Sequence, residues 1–249
     1  MSDLTLPFLA AFIGTFLIAG LVKGVTGMGL PTVAMGLLGA LISPVAAAGL
    51  LLIPSFVTNV WQLFSGPSLG IIARRLWPMM VTILVGTIAS SALLSADTAW
   101  TGSALGCVLI AYALYTLSGR QLSVPASTER WASPLVGMLT GLVTGATGVF
   151  VVPAVPYLQA LGFSRDDLVQ ALGLSFTVST IALSLGLAAH GSIGFGNLAL
   201  SAAAIAPALA GMWTGQVLRH RISPTAFRRG FLICIGLLGT ELALRPLWQ

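Results

Sequence analysis

A chain of 249 residues in which 57% are hydrophobic and only 7% charged is not a water-soluble domain, where about a quarter of residues carry charge. Its formal charge of +5 sits in short basic clusters beside apolar spans, the positive-inside pattern of a membrane protein, which excludes nucleic acid as the partner. Cys107 and Cys234 fall in apolar segments without metal-ligand spacing. They read as two buried small hydrophobes, and neither a disulfide scaffold, a metal centre nor a cofactor site is expected.

The first apolar segment covers residues 6–27. It has no basic residue ahead of it and carries Lys23 at its far end, so it reads as a first membrane helix rather than a cleaved leader. Residues 30–42 form a second segment, too short to cross a hydrocarbon core that needs about 20 helical residues. The pair predicts a helix and a return half-helix, folded at the glycines between them near mid-membrane. Ser43-Pro44 then opens a helix running to residue 65, with Pro54 as a kink. A basic loop with Arg74 and Arg75 follows, then helices over 76–96 and 98–119 with Asp97 at the turn between them. Residues 120–130 are the most polar interval and read as a cytoplasmic linker. Beyond it come a broken pair over 131–162, a helix over 168–189 and a glycine-rich turn over 190–196. A helix over 197–218, a basic loop over 219–229 and a last helix over 230–247 complete the chain.

The second half repeats the first. Gly20-Leu21-Val22-Lys23-Gly24-Val25-Thr26-Gly27 returns 121 positions later as Gly141-Leu142-Val143-Thr144-Gly145-Ala146-Thr147-Gly148, and Pro31 and Pro153 follow the two copies. Ser43 matches Ser164, Pro78 and Gly86 match Pro207 and Gly215, and Cys107 matches Cys234. The predicted domains are therefore a first transmembrane repeat over 1–119, the linker, and a second repeat over 131–249. The order of basic and uncharged loops is reversed between them, so the repeats should sit in opposite orientations with both termini outside. The fold class expected is an all-α integral membrane protein of two inverted-topology repeats, each a broken or re-entrant helix pair plus three transmembrane helices.

Two related segments broken inside the membrane point to a transporter's binding site. Lys23 is the only lysine and lies in an apolar span, where an ionisable group is costly and functional by default; the competing reading is a side chain that snorkels to the interface. Thr144 occupies its matching position. Thr26, Gly27, Thr147 and Gly148, with Gly24 and Gly145 beside them, would offer hydroxyls and free amide N–H groups to an anion at a helix terminus. The alternative is that these glycines only let helices approach closely. Asn59 and Gln62, three apart, share a helix face and with Thr58 answer Ser175, Thr177, Ser179 and Thr180 in the matching helix. They line a pathway or knit helices together. His190 and Glu241 are the remaining candidate proton carriers, with surface positions as the alternative. No nucleophile, acid–base or dinucleotide template fits, which argues against an enzyme.

At these residues the chain resembles the sulfite exporter TauE/SafE family of membrane permeases. The likeness is carried by the paired Gly-Leu-Val-x-Gly-x-Thr-Gly motifs, by Pro31 and Pro153, and by Thr58-Asn59 in the polar third helix. It implies a secondary carrier in a bacterial inner membrane, working as an exporter of small sulfur-containing anions such as sulfite or organosulfonates. The expected binding residues are Lys23, Gly24, Thr26, Gly27, Asn59, Gln62, Thr144, Gly145, Thr147, Gly148 and Ser179. Val149-Phe150, standing where the first copy has Met28-Gly29, suggests an asymmetric site with room for an organic tail. An anion-selective channel and a carrier of another small organic anion are the alternatives. The partners expected are the small anion and the lipid bilayer, and a homo-oligomer stays open.

Overall fold

The structure, a computed structural model, describes residues 6–119, 123–219 and 221–247. In chain order the helices are α1 (Leu6–Thr26), α2 (Leu30–Leu41), α3 (Pro44–Leu63), α4 (Leu69–Ser95), α5 (Ala99–Leu117) and α6 (Ala126–Thr147). They continue as α7 (Ala154–Ala160), α8 (Arg165–Ala189), α9 (Phe195–Ala203), α10 (Ile205–Leu218) and α11 (Pro224–Leu244), closed by a 3-10 turn over Arg245–Leu247. Among the described residues there is no strand, and 6 spans are long and apolar enough to cross a membrane. The outer surface is apolar, with Trp61, Ile71, Leu93 and Leu237 exposed, as a lipid-facing surface requires. Cys107 and Cys234 belong to this surface rather than to the core, which corrects the expectation of two buried residues.

Several boundaries differ from those read in the sequence, mostly because charged residues begin helices instead of separating them. Arg74 and Arg75 lie in the second turn of α4, Arg130 in the first half of α6, and Arg228 and Arg229 in the second turn of α11. Arg75 there holds Glu129 in a two-pronged ion pair (2.6 and 2.7 Å), donates to the Leu161 carbonyl at 3.3 Å and stacks on Phe163. These contacts join the starts of α4 and α6 to the turn before α8. Arg120 and His220 lie outside the described residues.

The glycine break falls in the chain where expected, at Gly27 and Gly29, but it follows a helix of full span rather than interrupting one near mid-membrane. α1 is 21 residues long, about 31 Å at 1.5 Å per residue, enough to cross the hydrocarbon core unaided. The chain turns back only after that, at Gly27 and Gly29, whose φ angles of 79° and 106° need glycine. α2, at 12 residues, returns only some of the way. In the second half the return is different: after Gly148 (φ 72°) the backbone is non-helical through Pro153, and α7 has only 7 residues. Val149, Phe150 and Val151 are fully buried, the only setting in which a lipid-embedded chain tolerates such backbone.

Helix pairs from opposite halves build the core. α1 lies parallel to α10, and α6 parallel to α4, with glycines at both seams. A Cβ on Gly20 would lie 2.1 Å from the Ala208 carbonyl oxygen, and one on Gly141 would lie 2.5 Å from that of Ile83. One on Gly24 would meet Met212 at 2.2 Å, and one on Gly145 would meet Thr87 at 2.3 Å. The contact atoms correspond one for one at a separation of 125 positions (Ile83 to Ala208, Thr87 to Met212). Gly86 therefore takes the place of Gly211, which meets Leu17 and Leu21, rather than of Gly215. The spacing read from the sequence is one helical turn too long. α3 runs antiparallel to α8 through the middle, where Gly173 lets α8 approach Gln62 and Leu63.

Candidate functional site

Lys23 lies one turn before the end of α1, turned inward and 3% exposed, so it does not snorkel to an interface. Its Nζ donates to Thr58 Oγ1 at 3.1 Å and to Asn59 Oδ1, both on α3. Asn59 in turn donates through Nδ2 to Thr180 Oγ1 on α8, at 3.3 Å. Asn59 and Thr180 are matching positions in the two halves, 121 apart, and they touch each other. On these same two helices, the buried Oγ atoms of Ser55, Ser175 and Ser179 and Oε1 of Gln62 have no hydrogen-bond partner. Among the described residues the ion pairs are Arg75 with Glu129 and Arg245 with Glu241, so no carboxylate neutralises Lys23. The centre of the bundle thus holds one lysine amine without a carboxylate partner, neutral donors on α3 and α8, and unfilled hydrogen-bonding capacity. Each unpaired buried polar atom costs on the order of 1–3 kcal/mol, which a bound polar solute would recover.

The two threonines of the repeat play identical local roles. Thr26 Oγ1 lies 2.8 Å from the Val22 carbonyl and accepts from the Met28 N–H at 3.3 Å; Thr147 Oγ1 does the same with Val143 (2.7 Å) and Val149 (3.3 Å). Gly27 and Gly148 donate to the Lys23 and Thr144 carbonyls, each at 2.7 Å. These residues finish their helices and hold the chain reversal, and their hydroxyls are spent there. Thr144, opposite Lys23 in the repeat, donates to the Thr140 carbonyl at 2.7 Å. Gly24 and Gly145 face α10 and α4 at the packing seams described above. By contrast, among the described residues no acceptor answers the N–H groups of the buried Phe150 and Val151 in the non-helical segment.

Gln62 reaches across a different boundary. Its Nε2 donates to the Gly27 carbonyl at 2.9 Å and the Val169 carbonyl at 3.0 Å, tying the ends of α1 and α3 to the first turns of α8. Both acceptor residues belong to the wall of a cavity of about 310 Å³, lined by Thr26, Gly27, Met28 and Val169 together with Arg165, Arg219 and Arg228. In the sequence these arginines read as loop charges. Nothing in their local spacing shows that residues so far apart meet at one opening. Phe150 and Phe176, both fully buried, pack together in the core with ring centroids 5.8 Å apart, Phe176 lying between Val169 and Thr180 along α8. His190 is exposed at the end of α8, and Glu241 pairs with Arg245 at 3.6 Å on the surface, so both take surface positions.

A polytopic helical bundle with one buried lysine amine turned into a polar centre has the construction of a membrane permease. The chain belongs to the sulfite exporter TauE/SafE family, whose model matches residues 12–242. Membership makes it a multi-pass membrane transport protein for sulfur-containing anions and not an enzyme. Comparison with curated proteins finds no match, and neither does comparison with solved structures.

Proposed function

We propose that the protein is an exporter of small sulfur oxyanions, sulfite or organosulfonates, working by alternating access between two inverted repeats in a bacterial inner membrane. The single observation that carries the binding site is Lys23: a buried amine bonded only to neutral oxygens, with no acid nearby to balance its charged form. A charge in that setting costs several kcal/mol unless an anion joins it. Asn59, Thr180 and Ser179 would complete the site from α3 and α8, with the free N–H groups of Phe150 and Val151 from the second reversal. Thr26, Gly27, Thr147 and Gly148 serve as the reversals about which helices move.

Support for the inverted repeats comes from the exchange of partners: α1 with α10 answers α6 with α4, residue by residue, and Asn59 meets its own counterpart Thr180. Support for alternating access is the unequal access to the two reversals: Gly27 and Met28 line the arginine cavity, whereas Val149 and Phe150 are fully buried. The arginines at the Gln62 end put that end in the cytoplasm by the positive-inside rule, and both termini outside.

Counterflow in proteoliposomes tests this reading. Vesicles loaded with unlabelled sulfite or sulfoacetate should transiently accumulate the labelled anion, and Lys23→Met should abolish the accumulation. Simple equilibration without overshoot would mean an anion channel instead. Accumulation of a carboxylate but of no sulfur anion would keep the carrier and discard the substrate class.

A further inference from the structure

The arginine-lined cavity is separate from the Lys23 cluster: neither Lys23, Thr58 nor Asn59 lines it, and Gln62 donates to the carbonyls of two residues of its wall, Gly27 and Val169. Arg165 opens α8, Arg219 follows α10 and Arg228 lies in α11, yet all three reach one space of about 310 Å³. No carboxylate lines it. Among the described residues none of the three has an ion-pair partner, whereas Arg75 at the same end is neutralised by Glu129. Asp167, close to Arg165 in sequence, lies outside the lining, at 2.8 Å from Ser164 Oγ. The positive-inside rule accounts for basic residues at this end but not for their convergence. Arg74, Arg130, Arg221 and Arg229 share the end and stay out of the cavity.

We propose that this cavity is a second anion site, for small oxyanions bearing a sulfonate, sulfate or phosphate group, from which substrate passes Gln62 to reach Lys23. Guanidinium groups present planar forks that match such oxygens in pairs, and three of them without a counter-charge favour an oxyanion over a halide. A basic funnel at the mouth also raises the local concentration of substrate. Gln62 is suited to the partition: its unpaired, buried Oε1 gains nothing from the closed state, so the two Nε2 bonds are what an arriving anion must replace. The order of the two sites rests on the carrier reading; anion binding in the cavity does not.

The test is thermal stabilisation of the purified protein in neutral detergent by sodium sulfate, against sodium chloride at equal ionic strength. Protection of the native state follows from binding to it alone. The expected result is a saturable shift that survives Lys23→Met and whose apparent affinity falls about tenfold, the scale of one lost charge-assisted contact, in each of Arg219→Gln and Arg228→Gln, and further in the double variant. Arg165→Gln, at an exposed position, provides the same readout should the double variant not fold. A shift lost in Lys23→Met and unchanged in the arginine variants would overturn the second site. So would protection by phosphatidylglycerol micelles but not by sulfate, which would make it a lipid-headgroup site. In proteoliposomes the arginine variants should raise KM about tenfold with kcat within about twofold. A wild type that binds sulfate in this way but moves no anion would sink the carrier reading and leave the cavity's anion site standing.

Discussion

At the scale of single residues, function and stability pull against each other at the centre of the bundle. Lys23 occupies an apolar interior with only Thr58 and Asn59 as partners. Replacing it with methionine removes a buried charge while keeping the volume, and such changes are neutral or stabilising by about 1–4 kcal/mol. Lys23→Met should therefore hold or raise the melting temperature while transport is lost. A large drop would make Lys23 a structural residue. The same reasoning applies to Ser179, whose buried hydroxyl has no partner. Ser179→Ala deletes an unsatisfied group that costs about 1–3 kcal/mol, so it should stabilise the empty protein and weaken substrate-dependent stabilisation. A hydroxyl that only filled space would leave the substrate effect unchanged.

At the scale of helices, the glycines of the repeat motif sort by what they face. Gly20, Gly24, Gly141 and Gly145 are pressed against backbone of α10 or α4, where a Cβ would fall 2.1 to 2.5 Å from a carbonyl oxygen. Gly20→Ala must push α1 and α10 apart and should cost on the order of 1–3 kcal/mol. Gly102 in α5 has nothing within 4 Å of such a Cβ, so Gly102→Ala should stabilise by about 0.5–1 kcal/mol through helix propensity alone. Equal melting shifts for the two variants would refute the seam argument. Gln62 belongs to this scale as well, because its amide joins the end of α1 to α8. Gln62→Leu keeps the bulk, loses both bonds and leaves the Gly27 and Val169 carbonyls without this donor. It should speed exchange between the arginine end and the Lys23 site, read as a higher leak of sulfite from loaded vesicles. An unchanged leak would show that the amide is not a barrier.

At the scale of the whole molecule, the sequence reveals the halves better than it reveals their meeting. The duplicated motif, the short second segment and the sparse charges are local signals, and they yield the all-helical membrane bundle and single out Lys23 and Asn59, which the structure buries in contact with each other. The arginine cavity and the exchange of α1 and α6 between halves arise from contacts between residues distant in the chain, which no local period encodes. The one-turn error in matching Gly86 has the same origin: a constant spacing along a chain does not fix which glycine meets the facing helix. The remaining asymmetry bears on mechanism. Met28 borders the arginine cavity, while the corresponding Val149 and the Phe150 after it are buried and non-helical, so the first reversal lies beside a cavity and the second, the aromatic end, is sealed in the core. A carrier must open the aromatic end in its other state. With the surface thiols removed as Cys107→Ala/Cys234→Ala, a Thr225→Cys variant should react from the cytoplasmic side with a membrane-impermeant thiol reagent. A Val149→Cys variant should be inert in the resting protein and react from the periplasmic side only while substrate is being exported. Equal reactivity of Val149→Cys with and without substrate would show that the aromatic end does not open in the cycle, and a fixed pore would then replace the rocking repeats.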